Sequence, residues 1–196
     1  MTVTEFAGLE AQGQHAVDSP IIQEFLTKVA QRQAAWSGYP LLFFQDTSNS
    51  KVLYLISGWR DVPAHGEWIA STGNQELLRE MEGIMTVREF RHLDIDFETL
   101  PQDVAVMTLD VLPHGPSDTE LSRAIADVGH NSSGLLWQCT GRTLEEPEGE
   151  LHYLKAYSRF NEACGRCVES TVVVGPEGSK EAAGERSIVM HRLAIP

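Results

Sequence analysis

Two short apolar runs stand close together in the stretch Leu41-Leu42-Phe43-Phe44-Gln45-Asp46-Thr47-Ser48-Asn49-Ser50-Lys51-Val52-Leu53-Tyr54-Leu55-Ile56. Each run has the length of a buried strand, and the polar residues 46–51 between them are typical of a turn. The stretch therefore predicts two antiparallel strands that form a hairpin.

Helical patterns lie on both sides of this hairpin. Before it, Ser19-Pro20 is a helix start, with serine as the N-cap and proline at the first helical position. The apolar residues that follow at helical spacing are Ile22, Phe25, Leu26, Val29 and Ala30. After the hairpin, Asp61-Val62-Pro63 begins a second helical region, and Gly73-Asn74 predicts a break in it. Strands at 2–11 and 86–96 complete the order β-α-β-β-α-β.

The same order is predicted a second time after Pro101. Its elements are a strand at 103–112, a helix at 118–128, strands near 134–140 and 151–159, a helical stretch near 161–171 and a strand at 187–195. Residues of the two copies match at an offset of 99 positions, as in the pairs Arg60 and Arg159, Leu55 and Leu154, His92 and His191. Solenoid and propeller repeats are roughly 20–50 residues long. We therefore interpret the chain as a duplicated domain with halves 1–98 and 99–196.

A β-α-β-β-α-β unit forms a four-stranded antiparallel sheet that carries both helices on one face and leaves the other face bare. Two such sheets can bury this bare surface against each other, and halves of this size are expected to share a core. The predicted fold class is α+β, with tandem duplicated ferredoxin-like halves that form a single-chain pseudo-dimeric α/β barrel. Whether the pseudo-dimer associates into a further homodimer is left open.

The composition of the chain limits the classes of molecule that it is expected to bind. The 196-residue chain has a formal net charge of −13, and its basic residues are scattered without the stripe that phosphates would follow. We therefore expect neither nucleic acid nor an anionic membrane as a partner. No secretory signal begins the sequence and no apolar run approaches the roughly 18 residues of a spanning helix. The sequence indicates a soluble cytoplasmic protein, and its three cysteines are too few for a disulfide framework.

Short motifs in the first half resemble a known family. They are Tyr54-Leu55-Ile56-Ser57-Gly58-Trp59, Ala64-His65-Gly66-Glu67-Trp68-Ile69-Ala70-Ser71, Asn74 and Phe90-Arg91-His92-Leu93-Asp94. These residues resemble the antibiotic biosynthesis monooxygenase group of dimeric α/β-barrel proteins, and the whole chain is similar to the two-repeat, fungal-type members of that group. The resemblance is closer over 1–97 than over 103–196, where Cys164 and Cys167 stand at the positions of His65 and Trp68.

The resemblance implies a pocket between sheet and helices within each half. Cofactor-free monooxygenases of this group use such a pocket to oxidise polycyclic aromatic phenols to quinones. Relatives of the same fold degrade haem, dehydrate or cyclise polyketides, or have no known activity, so the fold does not choose the reaction. The expected ligand is a hydrophobic aromatic or polyketide-derived small molecule, with dioxygen as co-substrate and without cofactor or metal.

His65 is the centre of the predicted site. In a helix that begins at Pro63, His65, Trp68, Ile69 and Thr72 share one face. A flat ligand could stack on the indoles there while the imidazole accepts a phenolic proton. We therefore assign His65 as the general base and His92 or Asn74 as the group that stabilises the developing oxyanion. The predicted substrate-binding residues are Trp59, Trp68, Tyr54, Phe44 and Thr72.

Each assignment has a structural alternative. Trp59 and Trp68 could be core packing, His65 a partly exposed polar residue and Asn74 a helix cap. The retention of His92 as His191 in the second copy favours a structural role for this histidine. A filled cavity with His65 facing solvent would indicate a non-catalytic binding barrel.

Further alternatives remain open for the reaction and for the second half. A cyclase or dehydratase could use the same pocket and base without dioxygen, and haem degradation is a third reaction. Cys164-Gly165-Arg166-Cys167 has the spacing of a redox pair, although replacement of the first-copy residues accounts for it more simply. The acidic run at 145–150 is predicted to be a solvated loop.

Overall fold

The computed structural model describes residues 1–112, 134–145, 151–158 and 186–195. Over these ranges the elements are β1 Val3–Ala11, α1 Pro20–Ser37, β2 Leu41–Asp46, β3 Val52–Trp59, α2 Val62–Ala70, α3 Thr72–Met81, β4 Met85–Leu93, a 3₁₀ helix Phe97–Thr99, β5 Val106–Leu112, β6 Leu135–Arg142, β7 Leu151–Tyr157 and β8 Arg186–Arg192. The helices predicted at 118–128 and 161–171, and with them the Cys164–Cys167 motif, lie outside the described residues.

The strands form one antiparallel sheet in the order β4-β1-β3-β2-β8-β5-β7-β6. The first four strands and the last four therefore follow the same order, and the pairing of β2 with β8 joins the two groups edge to edge. At the far ends, Leu93 forms a bridge with Thr143, and the Leu144 N–H donates to the His92 carbonyl oxygen at 2.9 Å. The sheet curls until its outer edges meet, which confirms the predicted α+β barrel.

Residues from both halves fill the inside of the curled sheet. Phe6 stacks on Tyr54 with ring centroids 5.1 Å apart, and both are buried together with Met107, Leu154 and Met190. This interior core depends on both groups of strands, because removing either group would expose the apolar face of the other.

The three helices cover the outer face of the first four strands. A second core lies there, to which α1 contributes Ile22, Phe25 and Leu26, and α2 and α3 contribute Trp68 and Leu77. Helix α1 begins and ends at the predicted signals, with Pro20 in its first turn and Gly38 at φ 80° as the C-cap. No helix in the described ranges is long and apolar enough to cross a membrane.

The break between α2 and α3 lies two residues before the predicted one. Ser71 has an extended ψ of 151° and its Oγ accepts a hydrogen bond from the Asn74 N–H at 3.2 Å. The hydroxyl of Ser71 thus caps α3, and Gly73 and Asn74 belong to the first turn of the new helix.

The strand pairing does not match the two halves at a uniform offset of 99 residues. Leu55 faces the helices, whereas Leu154 lies inside the barrel. Because side chains alternate along a strand, a difference of one residue in register reverses the face. The division into halves 1–98 and 99–196 stays a prediction.

Candidate functional site

A cavity of about 230 Å³ lies between the first four strands and the three helices. Most of its wall is apolar, and the polar side chains that line it are Glu5, Gln33, His65 and Asn74. The wall residues Val87 and Phe90 are 50% and 40% exposed, so the cavity opens to solvent beside β4. An apolar pocket with a few converging polar groups is the usual form of a small-molecule site.

Glu5 is the one acid among the described residues that line the cavity. Strand β1 places it on the helix-facing side, where it is 4% exposed, and its Oε2 accepts hydrogen bonds from Trp59 Nε1 at 2.7 Å and Gln33 Nε2 at 2.8 Å. Burial raises the pKa of Glu5 to about 7, against the smaller lowering effect of these two donors. A group that titrates near neutral pH can both take up and release a proton there.

His65 faces Glu5 from helix α2. Its ring stacks on the Trp59 indole with centroids 4.3 Å apart and planes 13° apart. Burial, followed by the effect of His92, lowers the pKa of His65 to about 3, so the imidazole is neutral at physiological pH. Its Nε2 lies 3.8 Å from Glu5 Oε1. Because the imidazole is neutral, this contact is not an ion pair at neutral pH, and two polar groups stand side by side at one end of the cavity.

His92 lies behind His65 and connects it to the second half of the chain. The His65 Nδ1 and His92 Nε2 atoms are 2.8 Å apart, and His92 Nδ1 lies 2.7 Å from Glu145 Oε1. The same carboxylate oxygen accepts the backbone N–H of His92 at 2.7 Å. Glu145 begins the acidic run that was predicted to be a solvated loop; it is exposed, with 38% of its side-chain surface accessible, and it nevertheless reaches His92, while residues 146–150 lie outside the described residues.

Five of the predicted site residues lie in or directly behind the cavity. His65, Trp68 and Asn74 line it, while Trp59 and His92 contact His65 from outside the wall. Asn74 Nδ2 donates to the Ile69 carbonyl oxygen at 3.2 Å, and its helix is capped by Ser71 rather than by Asn74 itself.

Tyr54, Phe44 and Thr72 do not line this cavity. Tyr54 and Phe44 lie inside the barrel, on the opposite face of the sheet, because their positions alternate with those of the helix-facing residues. Thr72 is exposed at the start of α3, because α2 ends at Ala70 and the helical spacing counted from His65 does not continue across the break. The expectation that these three residues contact a ligand in this cavity is corrected accordingly.

Sequence reasoning missed Glu5, Gln33 and Glu145. The sequence pattern could have identified Glu5 and Gln33, because each is a polar residue on an otherwise apolar face. Glu5 alternates with Ala7 in β1, and Gln33 lies at the helical spacing of the apolar residues of α1. No such pattern identifies Glu145, since its partner lies 53 residues away along the chain.

In the part of the second half that the structure describes, an apolar residue stands at the place that corresponds to Glu5. In the first half His92 lies opposite Glu5 across the β1–β4 ladder, and in the second His191 lies opposite Val106 across the β5–β8 ladder. The place of the buried carboxyl is therefore taken by an apolar side chain. A site with this acid exists only in the first half of the described residues.

Comparison with known proteins supports the fold. No protein-family model matches the chain. No curated protein sequence matches it either. Among solved structures, a candidate monooxygenase from Lactobacillus acidophilus NCFM superposes with a TM-score of 0.60 at 16% identity, covering 97% of this chain and 93% of that chain. An anthrone oxidase-like protein gives a TM-score of 0.61 at 13% identity, with coverages of 98% and 92%.

A candidate chlorite dismutase is comparably similar, with a TM-score of 0.59 at 12% identity and coverages of 99% and 95%. At such identities the likeness concerns the fold and not the reaction. The chain has the ferredoxin-like α+β barrel fold found in these monooxygenase-like and chlorite dismutase-like proteins.

Proposed function

We propose that the protein is an enzyme that binds a flat hydrophobic molecule with an acidic phenolic or enolic proton in this cavity and removes that proton. Oxidation of the resulting anion by dioxygen, without a cofactor, is the reaction we assign to it. The observation that carries the proposal is the convergence of Glu5 and His65 at the buried end of an otherwise apolar cavity.

Glu5 is the better base of the two. A general base is most effective when its pKa lies near the working pH. Burial raises the pKa of Glu5 to about 7, whereas burial and His92 lower the pKa of His65 to about 3. We therefore assign proton removal to Glu5, which replaces the sequence-based assignment of His65. The neutral His65 offers its Nε2 to a polar group at the same end of the cavity.

The wall favours a compact, flat ligand. Trp68 presents its indole to the cavity and is backed by Trp36, with ring centroids 5.6 Å apart. The volume of about 230 Å³ is smaller than the about 300–1,000 Å³ of pockets for drug-sized ligands. Asn74 also lines the cavity, and the second N–H of its amide is available for an oxygen that gains negative charge.

An anthrone is a suitable probe, because one structural neighbour is named anthrone oxidase-like. Loss of a proton from an anthrone gives an electron-rich enolate, which can pass one electron to dioxygen. Recombination of the two radicals gives a peroxide anion on carbon, which takes up one proton and then loses water to give the quinone. One anthrone and one dioxygen become one quinone and one water, so no external reductant is needed.

The test measures dioxygen uptake and quinone formation with anthrone above the uncatalysed rate. We expect Glu5→Gln to lower kcat by about 100-fold or more, because it removes the base and keeps the shape. Thr72→Ala, at an exposed position outside the cavity, should stay within about twofold of the parent protein. Conversion without dioxygen uptake would indicate a cyclase or dehydratase, and quenching of tryptophan fluorescence without conversion would indicate a binding barrel. Either outcome overturns the proposal.

The cavity between the sheet and the helices supports a catalytic protein over a non-catalytic barrel. The non-catalytic alternative predicts a filled cavity, indoles packed on each other and His65 facing solvent. Instead, a cavity is present, His65 is 3% exposed, Trp59 stacks on His65 and Trp68 packs on Trp36.

A further inference from the structure

A chain of titratable side chains leads from the cavity to the surface through the second half of the protein. From the inside outwards it consists of Glu5, His65, His92 and Glu145. Two of its steps are hydrogen bonds, of 2.8 Å between the imidazoles and 2.7 Å between His92 and Glu145. Glu5, His65 and His92 are buried, whereas the side chain of Glu145 is 38% exposed.

We propose that Glu145 is the outer end of a proton relay which carries the substrate's proton from the cavity to solvent, and that the second half thereby supplies a positioning residue to the site of the first half. The inference rests on the proposed function, because it concerns the fate of the proton that Glu5 removes.

The hydrogen-bond partners give the relay a direction. Glu145 Oε1 accepts the backbone N–H of His92, and as a carboxylate oxygen it also accepts from His92 Nδ1. A neutral His92 with its proton on Nδ1 has a bare Nε2, so His65 must donate from its own Nδ1. The Nε2 of His65 is then a bare acceptor beside the cavity. Glu145 thus determines which nitrogen of each imidazole carries the proton.

The remaining gap is the 3.8 Å between Glu5 Oε1 and His65 Nε2. A water molecule or a non-reacting ligand hydroxyl about 2.8 Å from both atoms would close it, because its oxygen can accept from protonated Glu5 and donate to the bare Nε2 of His65. The bridging group is therefore distinct from the atom that loses its proton to Glu5.

The relay moves protons only, so no oxidant or reductant takes part in it. The substrate X–H bond breaks as an O–H bond forms on Glu5. Protonated Glu5 then gives its proton to the bridging oxygen as that oxygen gives its own proton to His65 Nε2, while the Nδ1 proton of His65 moves to His92 Nε2. The Nδ1 proton of His92 moves to Glu145, which releases it to water. When the peroxide formed later takes up a proton in the cavity, the same transfers run in reverse from solvent through Glu145 and return each imidazole to its Nδ1-protonated form.

In the part of the chain that the structure describes, few other titratable groups lie around the imidazole rings of His65 and His92. The titratable groups that face His65 and His92 among the described residues are Glu5 on β1 and Glu145 after β6. Trp59 on β3 stacks on His65, and Phe90 on β4 packs against both imidazoles with centroid distances of 5.2 and 5.0 Å. On these sides the imidazole pair therefore meets aromatic rings that accept no proton.

The first test needs no substrate. Protein labelled with ¹⁵N-histidine reports by NMR which ring nitrogen carries the proton. We expect His92 and His65 to be protonated on Nδ1 in the parent protein. Glu145→Ala should shift His92 toward the other tautomer, whereas Glu145→Gln, which keeps an acceptor oxygen, should not. Glu82→Gln, an exposed glutamate at the end of α3, is the matched control. A His92 protonated on Nε2 in the parent protein would overturn the relay.

The second test uses anthrone turnover and separates this inference from the proposed function. We expect Glu145→Gln to lower kcat about tenfold or more with little change in KM, because it keeps the geometry and removes the proton acceptor. Small buffer bases such as imidazole, which can accept the proton in place of Glu145, should restore part of the rate, which a merely structural defect would not allow. An active parent protein with an equally active Glu145→Gln variant refutes the relay alone. An inactive parent protein refutes the proposed function.

Discussion

At Glu5, burial and hydrogen bonding act on one carboxyl group in opposite directions. Burial disfavours the charged form, while the N–H donors of Trp59 and Gln33 favour it. Burial is the larger effect, and the pKa is raised to about 7. An ordinary glutamate thereby becomes a group that can exchange a proton at neutral pH, and the fold keeps it at a cost in stability.

This cost is measurable as a dependence of stability on pH. The folded pKa of Glu5 is raised from 4.5 to about 7, so between these pH values the folded protein keeps a proton that the unfolded chain has lost. The contribution of Glu5 to stability is therefore full below pH 4.5 and falls as the pH rises toward 7, by on the order of 3 kcal/mol. Glu5→Gln cannot titrate, so its stability relative to the parent protein should rise over this window.

Urea unfolding of both proteins between pH 4 and 8 checks this expectation. The lowered pKa of His65 acts in the opposite sense, since it makes both proteins less stable as the pH falls from 6.5 toward 3. This effect is present in both proteins, and the difference between them therefore reports Glu5. Parallel stability profiles would show that the carboxyl is not held at a raised pKa.

Residue-level patterns located some site residues and misplaced others. His65 and Trp68 follow from their helical spacing, because both lie within the uninterrupted helix α2. Tyr54 and Phe44 could not be assigned to a face, since the strands that carry them are apolar on both sides and alternation gives no signal there.

At the scale of elements, the junction at Ser71 positions the cavity wall. Helix α2 carries His65 and Trp68, and α3 carries Asn74 and Leu77. The backbone N–H of Ser71 donates to the Trp68 carbonyl oxygen at 2.9 Å, and its hydroxyl caps α3. One residue therefore ends one helix and begins the next, and the angle between the two walls depends on it.

Ser71→Ala should destabilise the protein by about 1 kcal/mol, the usual effect of removing an N-cap hydroxyl. Because α3 would fray from its first turn, affinity for a ligand in the cavity should fall as well. The neighbouring Thr72→Ala removes an exposed hydroxyl and should change stability by less than about 0.5 kcal/mol. Thermal unfolding of the two variants makes the comparison, and equal losses would argue against the cap.

At the scale of the whole molecule, closure of the sheet brings the second half to the site. The contact between β4 and the end of β6 places Glu145 beside His92. Gly141 lies at the same contact, where a Cβ atom would overlap the Ile95 side chain and come within 2.9 Å of Asp94 Oδ1. The two edges can approach this closely only because residue 141 has no side chain.

Gly141→Ala should therefore cost about 1–3 kcal/mol through overpacking. Gly66→Ala is the matched control, because a Cβ there meets nothing within 4 Å and alanine favours the helix interior by about 0.5–1 kcal/mol. Urea unfolding gives both values. The first variant should also disturb the NMR signals of His92, and unchanged stability of Gly141→Ala would contradict a tight closure.

The amino-acid sequence was enough to assign the order of elements and the α+β class. It also located the helix starts at Ser19-Pro20 and Asp61, because capping residues and apolar spacing act over a few neighbouring positions. Three features of the site depended on the folded chain: the face on which Tyr54 lies, the raised pKa of Glu5 and the contact between His92 and Glu145. Each arises from strand register, burial or the meeting of distant edges. Such properties belong to residues brought together by closure of the barrel, and no local pattern contains them.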